Sequence, residues 1–331
     1  MNKKIYFIEN SISFTSDHIN SNDIRGTEKT LINLTTELAK NKYDVYVFNK
    51  TSNTTCISNV KWININDYKS YSNPDFLVAW SDANLLNYFN SKKKFLWSHS
   101  IQTIEKFFRK KQFLSFYKNK PLLITEGDYH YNNRNFITAP FGKKIIKLAV
   151  DNDFLDANID ISLLPGPNAI FTTRPDRNIC ILIDAWEKIY KLNNKSHLYI
   201  NPPFYLKDDH IRKNIHLRNA GDKKNLINDL LKSRVMLVPG HKGEVFCLSA
   251  LEAKELCLPI VTMGYGSLYE RVIHEKTGFI AKNINEFAHY SSMILNDDEV
   301  FKEFRTNLIK IRGLRRWQNV ANEFASLLEV I

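Results

Sequence analysis

The sequence predicts two α/β domains, each a doubly wound parallel sheet with helices on both faces. Three observations carry this. At roughly 100–200 residues per domain, 331 residues make two domains. Short apolar runs alternate with segments of helical apolar spacing, the pattern of strands joined by crossover helices. After Pro165-Gly166-Pro167-Asn168 punctuates the chain, the alternation starts again.

The elements follow in order. Lys4–Ile8 is a first strand. A polar loop leads to Gly26-Thr27-Glu28, and Leu31, Leu34 and Leu38 then recur at helical spacing. Asp44–Phe48, Val60–Ile65, Asp75–Ala79, Lys94–Trp97 and Pro121–Thr125 read as further strands, each bounded by Asn, Ser, Pro or Lys. In the second half, strands are expected at Ala169–Thr172, His197–Ile200, Ile215–Leu217, Val235–Val238, Ile260–Thr262 and Phe279–Ala281. A helix is expected over Ile179–Tyr190. The expected division is 1–150, 151–313 and a C-terminal helix at 314–331, which carries Trp317, Val320, Ala321, Phe324 and Leu327 at helical spacing and is expected, as in other two-domain folds of this kind, to cross back to the first domain. Ligands of such sheets bind at the carboxyl ends of strands where the strand order reverses, and with two sheets the natural site is the cleft between them. Residues that directly follow strands therefore matter most: Glu9, Ser81, His99, Glu126, Arg174, Gly240 and Gly264.

Composition narrows the class. Hydrophobic residues are 44% and charged residues 24%, which excludes disorder for the bulk of the chain. Cys56, Cys180, Cys247 and Cys257 are scattered without C-x-x-C spacing, so neither a disulfide framework nor a structural zinc is expected, and a reducing cytoplasm fits. Met1-Asn2-Lys3-Lys4 leads into too short an apolar run for a signal peptide. No stretch approaches 18 continuous apolar residues. The net charge of +11 is uneven, with +10 on residues 1–150 and +1 on 151–331. A basic half beside a neutral half implies two jobs and an anionic partner for the first, although solubility alone also accounts for it.

Val235–Ile260 is the most informative stretch. A strand ends in Pro239-Gly240, a loop leads to Glu244, and a helix runs on to about Leu256. Glu244 falls at the helix entry and Glu252 on the helix, while Glu255 reads as solvated. The amides at Val245–Leu248 lie at a helix N-terminus, which suits phosphate, whereas a carboxylate there is better placed to accept from neutral hydroxyls. Spacing alone also describes two solvated helix glutamates.

Glu244-x7-Glu252 after a strand and Pro-Gly, followed by Ala253 and Leu258-Pro259-Ile260-Val261, resembles the family-four retaining glycosyltransferases of GT-B fold, the glycosyl transferases group 1. The resemblance continues through Gly264-Tyr265-Gly266-Ser267, Glu270-Arg271-Val272 and Thr277-Gly278-Phe279-Ile280-Ala281. It implies that Glu244 approaches the donor sugar hydroxyls and Glu252 holds the nucleotide ribose. Phe246, Cys247 and Leu248 then present backbone amides around sugar and diphosphate, where charge grows as the bond breaks. The family also places an Arg and a Lys after the strand Ala169–Thr172. Arg174 and Arg177 stand there, with Arg177 counting back correctly from Ala185-Trp186, and Arg can take the same charge role.

In the first half the family's glycine pair is a single Gly26 after Arg25, at the start of a helix, where backbone would approach the diphosphate. His99 matches a histidine that touches the acceptor or donor sugar. Asp151-Asn152-Asp153 has D-x-D form but falls at the family's interdomain position. No metal or cofactor is expected beyond a UDP- or GDP-sugar co-substrate. Gly264-Tyr265-Gly266 lacks a third glycine at Tyr269, which disfavours a nicotinamide enzyme. No Ser-His-Asp or Cys-His set stands out, in keeping with front-face transfer that needs no protein nucleophile. Two alternatives stay open: a catalytically silent nucleotide-sugar-binding protein of the same fold, and a sugar-nucleotide 2-epimerase.

Ile104–Lys120 interleaves Phe107, Phe108, Phe113, Leu114, Phe116 and Tyr117 with Lys106, Arg109, Lys110, Lys111, Lys118 and Lys120. Read as one helix, it suits an anionic membrane surface at the inner face of the cytoplasmic membrane, or a covered helix with a solvated basic face; nucleic acid is disfavoured. The expected acceptor is a glycan or lipid-linked saccharide, held by the first domain.

Overall fold

The computed structural model describes residues 2–330 except 22, 135, 136, 138, 203 and 220. The chain forms two compact units, Met1–Ala149 with Arg315–Ile331, and Val150–Leu314.

In the first unit the strands are β1 (Lys3–Ile8), β2 (Tyr43–Asn49), β3 (Thr55–Ile57), β4 (Val60–Asn64), β5 (Phe76–Trp80), β6 (Lys93–Trp97), β7 (Leu122–Thr125) and β8 (Lys143–Ile145). They lie in the order β3-β4-β2-β1-β5-β6-β7-β8. All neighbours are parallel except β3, which runs antiparallel to β4. Central strands buried on both faces need continuous apolar runs, and Ile5–Ile8, Val45–Phe48 and Phe76–Trp80 supply them. The sequence reading missed β3 and β8. Each is three residues long at a sheet edge, and Thr55-Cys56-Ile57 and Lys143-Lys144-Ile145 carry no apolar run. Helix Gly26–Ala39 buries Leu31, Leu34 and Leu38, as its spacing requires. Helix Trp317–Val330 packs on the same unit through Phe324, whose ring lies 5.5 Å from those of Phe95 and Trp97.

The segment expected to be one basic helix is two, Ile104–Arg109 and Phe113–Asn119. Lys111 takes a left-handed φ of 52°, Gln112 is buried, and Gln112 Oε1 accepts from the Ala83 amide at 3.3 Å. That anchored glutamine stops the first helix. Phe108 stacks on Phe113 across the turn, 5.2 Å apart. Lys106 does not share the exposed basic face: it is half-buried and donates to Ser100 Oγ at 2.6 Å.

In the second unit the strands are β9 (Asn168–Phe171), β10 (His197–Ile200), β11 (Ile215–Leu217), β12 (Val235–Leu237), β13 (Ile260–Thr262) and β14 (Gly278–Ile280). They form an all-parallel sheet in the order β11-β10-β9-β12-β13-β14, so the winding reverses at β9. Helix Ile179–Leu192 buries Leu182, Ala185, Trp186 and Ile189, and Trp186 Nε1 donates to Lys213 O at 2.7 Å. Gly278 has φ 150°, and a Cβ there would sit 2.0 Å from Ile260 O, so only glycine lets β14 close on β13. Glu255 is not solvated as its helical position implied. It is 3% exposed, and its carboxylate accepts from the amides of Gly313 (3.2 Å) and Leu314 (3.3 Å), holding the turn that leaves the unit.

Candidate functional site

The second unit gathers most of the expected residues at the carboxyl ends of β9 and β12, the two strands flanking its switch point. Arg174 and Arg177 follow β9. Arg177 is partly buried, and its Nε lies 3.1 Å from Glu244 Oε2. Its Nη1 reaches His241 Nδ1 at 3.3 Å. The Gly243 amide donates to the same Nδ1 at 2.9 Å, so that nitrogen is an acceptor and carries no proton. Arg174 stands apart, 65% exposed and paired with Asp176 at 2.6 Å.

The loop that presents Glu244 is clamped from below. Asn178, at φ 64°, donates to Gly240 O at 2.5 Å. The Ser267 amide donates to Glu244 O at 2.9 Å. Gly266 has φ 69°, and a Cβ there would fall 2.5 Å from His241 O and 2.6 Å from Glu244 O, so the Gly264–Gly266 turn must pass beneath the loop without a side chain. Burial pushes the Glu244 carboxyl above its usual range, while Arg177 and a hydrogen bond from the Cys247 amide pull it down. A ligand that supplied hydroxyl donors would help to satisfy this carboxylate.

Helix Leu248–Glu255 starts after Cys247, a non-glycine residue at φ 55°. Such a conformation is costly and concentrates where a loop must be aimed. Burial raises the Cys247 thiol far above its usual range, which keeps it protonated and unsuited to nucleophilic attack. Arg271 grips the preceding residue: its Nε and Nη2 donate to Phe246 O at 3.0 and 2.5 Å, and its guanidinium lies 4.1 Å from the Phe246 ring centroid. The amides of the first turn, from Leu248 onward, are the ones a helix leaves without intrahelical partners. Glu252 is half-buried one turn further on. His241 and Arg271 were not assigned roles from sequence. His241 stood directly behind the singled-out Pro-Gly, and Arg271 inside the Glu-Arg-Val motif, but their partners are distant in the chain.

Asp151 and Asp153 turn toward a lysine rather than toward an open site. Lys223 Nζ lies 2.7 Å from Asp151 and 3.0 Å from Asp153. Among the described residues no group of three or more His, Cys, Asp or Glu is placed to hold a metal ion.

In the first unit, Gly26 opens helix Gly26–Ala39 and is exposed. Glu28 caps that helix by accepting from the Arg25 amide at 3.0 Å. Glu9, directly after β1, is buried beside it, with its carboxyl pushed up by desolvation and by Glu28. A diphosphate at this turn would meet two carboxylates as well as the helix end. His99 follows β6. Its ring packs 4.4 Å from that of Trp80, and Nδ1 lies 2.5 Å from Glu126 Oε1.

The comparisons with known proteins fit this geometry. Residues 204–311 match the family model described as glycosyl transferases group 1. The search of curated protein sequences finds no match. Among solved structures, Anabaena HepE in complex with UDP and glucose is 14% identical, with a TM-score of 0.72 over 99% of this chain and 100% of that one. Sucrose-phosphate synthase from Thermosynechococcus elongatus is 13% identical, with a TM-score of 0.74 over 99% and 98%. WaaG, a glycosyltransferase involved in lipopolysaccharide biosynthesis, is 11% identical, with a TM-score of 0.70 over 98% and 99%. At these identities the likeness establishes the fold, GT-B.

Proposed function

We propose that the chain, whose residues 204–311 match the group 1 glycosyl transferase model and whose fold is GT-B, is a retaining glycosyltransferase. In this reading it moves a sugar from a UDP- or GDP-sugar to a saccharide or lipid-linked saccharide. The observation that carries the donor assignment is the Arg177–Glu244 pair, poised beside His241 at the entry of helix Leu248–Glu255. The two side chains have opposite tasks. Arg177 offers positive charge to a diphosphate, and Glu244 offers acceptors to sugar hydroxyls. In the structure each partly satisfies the other. Glu252, on the helix, takes the ribose hydroxyls. The amides of Phe246, Cys247 and Leu248, with the helix end behind them, serve the sugar and diphosphate, that of Cys247 once a ligand takes over Glu244, to which it donates here. That HepE was crystallised with UDP and with UDP-glucose supports a nucleotide-sugar donor.

The bond between the anomeric carbon and the phosphate oxygen breaks, and the acceptor oxygen bonds to the same face of the sugar. The acceptor's proton passes to the departing diphosphate oxygen, so no protein base is required. Arg177, Arg174 and the helix-entry amides stabilise the charge that grows on the diphosphate, which is where transition-state binding has most effect. His99, in the first unit, touches a sugar hydroxyl. The acceptor's anchor is an anionic membrane surface, met by the two helices at Ile104–Arg109 and Phe113–Asn119. Phe108 and Leu114 are exposed there beside Arg109, Lys110 and Lys111.

A thermal-shift screen of nucleoside diphosphates and their sugars tests the donor reading. At a ligand concentration 100 times Kd, stabilisation is about 2.7 kcal/mol, a readily visible shift. The expected result is one base preferred, with UDP or GDP stabilising more than the nucleoside. No shift with any diphosphate would overturn it.

A further inference from the structure

The parallel register of β6 and β7 pairs Trp97 with Ile124, so the residues that follow each strand, His99 and Glu126, emerge side by side. Their side chains meet in a nearly closed place. His99 Nδ1 lies 2.5 Å from Glu126 Oε1, with side-chain exposures of 10% and 3%. Surrounding groups fix both partners. The Glu126 amide donates to His130 Nδ1 at 3.2 Å, so His130 accepts there and carries its proton on Nε2. His130 Nε2 and Arg134 Nη2 both reach Ser100 O, at 3.2 and 3.1 Å. The turn after β6 is thereby tied to the turn after β7. Burial and the neighbouring Arg134 push His130 down to about 2, so it stays neutral and acts as a fixed strut. Arg134 is itself buried, and the Glu126 charge supports its cationic form. Buried charges are retained when they are paired, and Glu126 has His99 at 2.5 Å and lies within the electrostatic reach of Arg134.

A carboxylate only accepts hydrogen bonds. With Glu126 Oε1 2.5 Å from Nδ1, the tautomer that places the proton on Nδ1 faces the carboxylate, and it leaves Nε2 an acceptor. That Nε2 is buried and has no partner among the described residues. The Trp80 ring against the imidazole restricts rotation that would exchange the two nitrogens.

We propose that Glu126 is a positioning residue for the transfer reaction: it holds His99 by Nδ1 so that Nε2 is presented, as an acceptor, to a sugar hydroxyl. This rests on the reading of His99 as a sugar contact given above. The logic is general. A carboxylate behind an imidazole selects one tautomer and one ring orientation, and its amide isostere loses that selection.

The test combines nitrogen-15 NMR of the histidine side chains in the full chain with turnover of UDP-glucose, scored as UDP release. Wild type is expected to show a neutral His99 with its proton on Nδ1, assigned by comparison with His99→Gln. In Glu126→Gln the signal is expected to move toward a tautomer mixture. Its kcat should fall tenfold or more, with KM for UDP-glucose within twofold and UDP affinity unchanged; Glu126→Asp should recover part of kcat. A residue that merely supports folding would lower stability without altering the tautomer. If Glu126→Gln keeps wild-type kcat while His99→Gln loses it, the positioning role is wrong and the sugar contact stands. If both variants keep it, the sugar contact is wrong and the positioning role goes with it. Should neither Glu126 variant fold, the wild-type spectrum decides alone: a proton on Nε2 contradicts the proposal.

Discussion

At residue scale the site carries unfavourable burial that the fold alone does not require. Glu244 is a partly buried acid whose carboxyl is raised mainly by desolvation, with Arg177 offsetting part of the effect. An acid raised in the folded state binds more protons there than when unfolded. Stability therefore falls as pH rises from the ordinary carboxylate value through the raised one, and the penalty persists at neutral pH. Glu244→Gln removes the charge and keeps the shape. The variant is expected to melt at pH 7 no lower than wild type, with the difference vanishing below the ordinary carboxylate range. Its turnover should fall tenfold or more, since a hydrogen bond to a charged group contributes about 1.5–3 kcal/mol. Melting curves against pH beside a UDP-release assay read both effects. A lower melting temperature with activity intact would mean that Glu244 is structural. Glu255 shows the limit of local reading here. Three positions from Glu252 it looks like another helix glutamate, but its partners lie at Gly313 and Leu314, which no helical period reveals.

At the scale of elements, apolar runs made the central strands legible, because a strand buried on both faces cannot be written in polar residues. Edge strands escaped for the converse reason, as Lys143-Lys144-Ile145 shows. The basic-aromatic segment was legible in composition but not in shape: the buried Gln112 and the left-handed Lys111 divide it. That division changes which residues meet a membrane. Lys106 turns inward to Ser100, whereas Phe108, 60% exposed, and Leu114, 83% exposed, stand out beside Arg109, Lys110 and Lys111. Co-sedimentation with vesicles should rise with anionic lipid and fall with salt, as screening requires. At about 1 kcal/mol per cation, replacing Arg109, Lys110 and Lys111 by Ser should weaken binding on the order of 100-fold. Lys106→Ser should have little effect on it. Binding indifferent to lipid charge would leave these helices as ordinary surface.

At the scale of the molecule, each unit places its chemistry-bearing residues where its sheet reverses or beyond its carboxyl edge, which is why residues after strands were informative. The pairings among them were less legible. Arg177 with His241, and His99 with Glu126, depend on which strands become neighbours, and sheet order is not a local property of sequence. The central claim is that the second unit binds the donor through its diphosphate and ribose. Calorimetric titration of UDP and GDP into wild type, Glu252→Ala and Arg177→Ala tests it most directly. One diphosphate should bind wild type. Glu252→Ala should lose roughly tenfold or more in affinity, as expected for lost hydrogen bonds to a charged acceptor. Arg177→Ala should weaken the diphosphate far more than the matching nucleoside. Wild-type affinity for the diphosphate in both variants, or no binding of either diphosphate to the wild-type chain, would contradict the account.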